Sequence, residues 1–269
     1  MPATAPLVLD SATLLKRSAA GRVAICASHG GVYAAYLAAK AKVRAVILND
    51  AGVGRDSAGV AGLFWLDGLG IAACAVDHQS ARIGDGRDMY ESGIVSTANN
   101  VAATLGCRPG MPVVEAAALL AKIADATMRP PPEIGETRRR IPNSGHREVW
   151  ALDSISLERE EDRRKILVTG SHGGLLGSDA SSAPRVDAFA VFFNDAGGGK
   201  DGAGFTRLPA LDKRAIAAAT VSTASARIGD GLSTYDTGVI SRVNATAKHL
   251  GLSEGMSTRQ AVARLVGLA

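Results

Sequence analysis

Four residues in the first half of the chain have the types that proton transfer and nucleophilic attack require: His29, Asp50, His78 and Ser80. A histidine titrates near neutral pH and suits general acid–base work. A nearby carboxylate orients it, and a serine hydroxyl can donate a hydrogen bond or attack. Around them stand groups suited to holding a small polar ligand: Ser28, Gly30, Gly31, Asn49, Arg82 and Asp85. The planar fork of Arg82 matches a carboxylate or phosphate. The glycines let backbone N–H groups approach an anion. No tight metal-ligand spacing occurs, so neither a metal nor another cofactor is expected. Cys26, Cys74 and Cys107 lie in no Cys-x-x-Cys motif and read as small core residues.

These residues fall in three motifs, and each motif occurs twice. Ser28-His29-Gly30-Gly31 returns as Ser171-His172-Gly173-Gly174. Asn49-Asp50-Ala51-Gly52 returns as Asn194-Asp195-Ala196-Gly197. Ser80-Ala81-Arg82-Ile83-Gly84-Asp85-Gly86 returns letter for letter as Ser225-Ala226-Arg227-Ile228-Gly229-Asp230-Gly231. The flanks agree in register, with Tyr90, Gly93, Ser96 and Asn99 matching Tyr235, Gly238, Ser241 and Asn244. The chain therefore reads as an internal duplication: a first α/β repeat over 1–124, a Pro- and Arg-rich linker over 125–148, and a second α/β repeat over 149–269. The copies differ where it matters for chemistry. Asp77-His78-Gln79 aligns with Ser222-Thr223-Ala224, so a histidine precedes only one of the two heptapeptides.

The elements that must position these motifs follow from the apolar pattern. Continuous apolar runs at 22–27, 45–48 and 71–76, with counterparts at 165–169, 188–193 and 216–221, suit strands buried on both faces. Short strands are expected before them at 7–9 and 149–152. A helix is expected over 32–41, but Gly177, Ser178, Ser181, Ser182 and Pro184 make its second copy poor. Further helices are expected over 96–105 and 113–123, and over 241–250 and 258–266. This alternation predicts a mainly parallel sheet with flanking helices in each repeat, a Rossmann-like three-layer α/β arrangement with right-handed crossovers. The repeats are expected to pair about a pseudo-two-fold axis. All three motifs follow strands, so they should meet at the carboxyl ends of the sheet, where such folds bind ligands.

Plainer readings exist for each motif. The two glycines suit a tight turn with Ser28 near a helix cap, Asp50 can order a turn, and Asp56 can cap the next helix. Arg82 with Asp85 can be an ion pair, and Arg55 and Lys200 read as matched, exposed basic residues. A turn fixes one or two positions, however, not seven. The motifs contain no Gly-x-Gly-x-x-Gly, no Walker lysine and no Gly-x-Ser-x-Gly.

Composition narrows the classes. A formal charge of +4 and 4% aromatics, with the longest basic run at Arg138-Arg139-Arg140 in the linker, do not make a nucleic-acid stripe. The longest apolar stretch, over 62–76, is broken by Asp67 and is too short to span a bilayer. An odd cysteine count and no leader pattern at the N-terminus suggest a reducing compartment, so the expected location is cytoplasmic. The expectation is an enzyme, a hydrolase or lyase, acting on a small anionic or amide-bearing metabolite. The second-repeat residues Ser171, His172, Gly173, Gly174, Asn194, Asp195, Ser225, Arg227 and Asp230 would contact the ligand. The alternatives are a non-catalytic metabolite-binding or regulatory protein with two pseudo-equivalent sites, and heptapeptides that join the lobes. The expected partner is a small molecule, not a nucleic acid or a membrane, and a homo-oligomer is possible.

Overall fold

The computed structural model describes residues 5–123 and 130–268. Residues 1–4, 124–129 and 269 lie outside the described residues, and with them the expected boundary between first repeat and linker. The chain divides into two units. Unit 1 comprises Met1–Val53, Ser57–Gly135 and Gly199–Gly202, and unit 2 comprises Gly54–Asp56, Glu136–Gly198 and Ala203–Ala269.

In unit 1, β1 (Leu7–Leu9), β2 (Val23–His29), β3 (Ala45–Asn49) and β4 (Ala72–Val76) run parallel, and β5 (Val95–Ala98) adds antiparallel to β4. Side chains alternate between the faces of the sheet, as strand geometry requires. Cys26, Val46, Leu48, Ala73 and Ala75 pack on one face against α1 (Val32–Lys40) and α2 (Ala61–Asp67). Ile25, Ile47, Cys74 and Val76 pack on the other face with α3 (Gly86–Ser92), α4 (Asn100–Thr104) and α5 (Val113–Leu120). Helix α1 lies so close to α2 that a Cβ at Gly62 would sit 2.7 Å from Ala35 Cβ and 2.6 Å from Gly31 O.

In unit 2, β6 (Arg138–Ile141) pairs antiparallel with β7 (Val149–Leu152). Parallel strands β8 (Ile166–His172), β9 (Ala190–Asn194) and β10 (Ala217–Val221) follow, and β11 (Ile240–Val243) closes the sheet antiparallel to β10. One face packs on α6 (Arg207–Asp212). The other packs with α7 (Gly231–Thr237), α8 (Ala245–His249) and α9 (Thr258–Val266). Between β8 and β9 stands only a short 3-10 turn, Ala180–Ser182, in line with the poor helix composition there. Among the described residues no helix is long and apolar enough to cross a membrane.

Four local expectations change. Residues 95–98 form a strand rather than the start of a helix, because Val95 and Thr97 favour the extended state and Asn99 caps α4 by accepting from Ala102 N. Helix α3 was not expected; Asp85 starts it by accepting from Asp88 N at 2.9 Å. Ser28 and His29 end β2 rather than lying in the turn, and Gly31 takes the N-cap position of α1. Arg138–Ile141, expected as solvated linker, is an edge strand. Its alternation turns Arg138 inward, onto buried Asp162 at 2.7 and 2.6 Å and over the Trp150 ring at 4.1 Å.

The strand orders, β1-β2-β3-β4-β5 and β11-β10-β9-β8-β7-β6, never reverse. Neither sheet therefore has the topological switch point at which open α/β sheets form their ligand crevice. Any site at the strand ends must be built by the loops themselves.

Candidate functional site

The loops at the carboxyl ends of β2, β3 and β4 are stitched by the motif residues. Asn49 is wholly buried; its Oδ1 accepts from Ala51 N (2.9 Å) and its Nδ2 donates to Ala81 O (3.3 Å), tying β3 to the heptapeptide. Ser28 Oγ accepts from Ala12 N (2.9 Å). Ser80 Oγ donates to Asp77 O (2.8 Å) and accepts from Ile94 N (2.9 Å). A Cβ on Gly30 would lie 2.6 Å from Gly59 O, so this crossing of loops requires glycine.

Unit 2 makes the same bonds. Asn194 accepts from Ala196 N and donates to Ala226 O (3.1 Å). Ser171 accepts from Ile155 N, Ser225 bridges Ser222 O and Val239 N, and Asp230 caps α7 through Ser233 N. Gly173 would meet Gly204 O at 2.3 Å. Ser28, Gly30, Asn49, Ser80 and Asp85, with their counterparts Ser171, Gly173, Asn194, Ser225 and Asp230, thus hold backbone in place. The Ser80 hydroxyl proton is committed to a carbonyl rather than to a base.

His29 is also engaged. Its Nδ1 accepts from Gly31 N (3.1 Å), which requires an unprotonated Nδ1. Burial pushes its pKa down to about 4. His172 Nδ1 accepts from Gly174 N (3.2 Å) in the same way. Below the ordinary histidine pKa of about 6.5, the unfolded chain takes a proton that folded His29 refuses until about pH 4. Stability should therefore fall with pH across that window, by at most about 3 kcal/mol from this residue. His29→Asn keeps an acceptor for Gly31 N and should flatten this part of a pH–denaturation series. An unchanged acid slope in the variant would rule the assignment out.

Asp50 and His78 are different. Asp50 is buried; its Oδ1 accepts from Gly52 N (2.9 Å) and His78 N (3.0 Å) and stands 2.9 Å from His78 Nδ1. Asp77 Oδ1 lies 3.3 Å from the same ring nitrogen. Burial alone would raise the Asp50 pKa, but hydrogen bonds from His78, Gly52 N and Ser96 and the charge of His78 outweigh it and hold the carboxyl below its ordinary value. With two carboxylates facing Nδ1, the network assigns a proton to that nitrogen. The imidazole is part-exposed, at 21% against 5% for the Asp50 side chain.

No family model, curated protein or solved structure matched this chain.

Unit 2 keeps the framework of this dyad without its imidazole. Asp195 Oδ1 accepts from Gly197 N (3.0 Å) and Thr223 N (2.9 Å), and Thr223 stands where unit 1 has His78. The same turn thus forms with threonine at this place as with histidine. Asp50, Asp77 and His78 also present ligand-type atoms within 4.8 Å of one another, a set suited to a small divalent cation. Asp50 Oδ1 is already directed at three nitrogen atoms of Gly52 and His78, which weakens it as a metal ligand.

The Arg82 fork is engaged by carboxylates. Its Nε and Nη2 hold Asp201 Oδ2 (3.0 and 2.6 Å), and its Nη1 lies 3.3 Å from Asp88 Oδ1. Lys200 Nζ completes the cluster on Asp88 Oδ1 at 2.6 Å, and Lys200 N donates to His78 O (2.8 Å). In unit 2, Arg227 holds Asp230 (3.1 and 2.8 Å) and Asp56 (3.1 Å), while Arg55 Nη1 donates to Ser225 O (3.0 Å). Arg55 and Lys200 are therefore not merely exposed matched bases. Lys200 has a carboxylate because position 88 is Asp, and Arg55 takes a carbonyl because the counterpart of Asp88 is Ser233. That Asp-to-Ser difference was visible in the repeat alignment and is the signal that sequence reasoning passed over. Ser96, which steadies Asp50, was matched in register but not singled out.

The loop after β3 is coiled left-handed over Ala51, Gly52, Val53 and Gly54, with φ of 49°, 74°, 60° and 70°. Val53 is β-branched and disfavoured there; its counterpart is Gly198 at 77°. Val53→Gly should raise stability by about 1 kcal/mol, the left-handed penalty less the entropy of the added glycine. Chemical denaturation checks it, and a loss of stability would show the valine side chain to be needed.

Proposed function

We propose that this protein is an enzyme acting on a small anionic or amide-bearing metabolite, a hydrolase or lyase, in which His78 transfers the proton and Asp50 orients it. The observation that carries this reading is the Asp50–His78 contact at 2.9 Å, with Asp50 buried and the ring part-exposed. A buried carboxylate behind one ring nitrogen fixes the tautomer and leaves the other nitrogen basic, the arrangement general acid–base catalysis uses. In the same reading the chain is an internal duplication whose halves have divided their labour: the Thr223 half keeps the scaffold and the His78 half does the chemistry. His29, held neutral by its bond to Gly31 N, serves as a hydrogen-bonding wall rather than as the base, and Ser80 as a scaffold residue.

The matched hydrogen bonds in both units favour a second reading, a non-catalytic metabolite binder with two pseudo-equivalent sites. A screen of purified protein against carboxylates, amides and phosphate esters separates the two. Chemically altered product supports the enzyme. A ligand bound by both units and recovered unchanged supports the binder and sinks the first reading.

A further inference from the structure

Arg207 opens α6 and is 3% exposed. Its guanidinium lies over the Phe193 ring at 5.2 Å, and Nη1 donates to His172 O at 2.9 Å. Its Nε is buried and has no partner among the described residues. The acidic residue whose field reaches it, Glu158, is occupied by Arg185, which binds Glu158 Oε1 through its backbone N (2.9 Å) and Nε (3.1 Å). Burial pushes the Arg207 pKa down to about 10, so the group remains a cation at neutral pH. A buried cation with no counter-charge in contact is costly, and folded proteins keep such a group only where something pairs with it.

The repeat architecture does not need this arginine. The corresponding position in unit 1 is Gly62, where the closeness of α1 leaves no space even for a Cβ. Unit 2 has no helix in that place. A loop over 175–186 covers the sheet instead, Phe193 stands where unit 1 has Leu48, and the Arg207 side chain occupies the interior beneath. The loop is tied at its start by Leu175 N to Thr206 Oγ1 (2.8 Å) and at its end by Arg185 and Val186 on Glu158 and by Arg214 on Pro184 O, while Leu176 N bonds within the loop to Ser182 Oγ (2.8 Å). A loop held this way opens more readily than a packed helix.

The unpartnered Nε belongs to the Nε–Nη2 edge of the guanidinium. That same edge holds Asp201 on Arg82 and Asp230 on Arg227. It presents two parallel N–H donors at the spacing of two oxyanion oxygens. We infer that Arg207 anchors an oxyanion site in unit 2, taking a small carboxylate or phosphate on its Nε–Nη2 edge beneath the loop that follows β8. The inference stands apart from the Asp50–His78 dyad and makes no use of turnover.

The test is titration of the full chain with inorganic phosphate and, separately, with malonate, at constant ionic strength, followed by calorimetry and thermal melting. The wild type should bind one of the two saturably with one equivalent and melt several degrees higher in its presence. Stronger binding of phosphate marks a phosphorylated ligand, and stronger binding of malonate a carboxylate. R207M should lose both the binding and the thermal shift. R207K should bind at least tenfold more weakly, because a point charge replaces a fork, and it decides the matter if R207M does not fold. Absence of saturable binding of either anion to the wild type, or equal binding by R207K, would overturn the inference.

Discussion

His78→Thr should lower kcat/KM by about 10²–10⁴-fold, the usual range for loss of a positioned acid–base group. Threonine is the informative replacement because unit 2 already carries it. Thr223 N donates to Asp195 Oδ1 just as His78 N donates to Asp50 Oδ1, so the turn tolerates that side chain. Stability of H78T should therefore stay near wild type while the rate collapses, with the loss in kcat rather than KM. Asp50→Asn should reduce the rate in the same direction, because the amide no longer enforces the Nδ1-protonated tautomer. The Asp50 carboxyl is held below its ordinary pKa, so it contributes stability above the carboxylate range and loses it only as pH falls through its depressed value. An acid limb in the rate above the carboxylate range would thus not report Asp50. Wild-type rates in H78T would dispose of the dyad as the reacting centre.

The second large effect concerns folding. Asn99 is 1% exposed and satisfies four backbone groups at once: Nδ2 donates to Leu63 O (3.2 Å) and Ile71 O (2.8 Å), and Oδ1 accepts from Ala73 N and Ala102 N, both at 3.0 Å. It ties α2, the start of β4 and the cap of α4 together. Asn244 does the same for Leu208 O, Ile216 O, Ala218 N and Ala247 N. Removing such a side chain strands several buried polar groups, each costing about 1–3 kcal/mol, with partial relief from relaxation. Asn99→Ala should therefore destabilise by about 3–5 kcal/mol, in the tail of single-residue effects. Asn99→Asp should do no better, because it sets a carboxylate against two carbonyl oxygens. Equilibrium denaturation followed by circular dichroism measures both. A loss under about 1 kcal/mol would mean that backbone or water replaces the amide.

Much of the molecule was legible in the sequence because its information is local. Apolar runs located the parallel strands, since a strand buried on both faces has nowhere to put a polar side chain. Glycine and serine content foretold the missing helix after β8. The repeat alignment marked the histidine at position 78 as the residue that distinguishes the halves. What the sequence left open depends on partners distant along the chain. Arg138 reads as a solvated charge until Asp162 and Trp150 are brought to it. Ser80, His29 and Asp85 read as chemistry, yet their atoms are taken by backbone groups that only the packed loops supply.

The same holds for the charges. That Arg82 meets Asp201, that Lys200 meets Asp88 and that Arg207 meets no carboxylate among the described residues are outcomes of tertiary packing, decided over a hundred residues away or by a helix that did not form. The sequence alone determined the parallel strands, the repeated motifs and the single histidine beside one of them. The tertiary structure alone decided which polar groups the scaffold consumes and which are left for a ligand, because a hydrogen bond satisfied by the fold is no longer on offer to anything else.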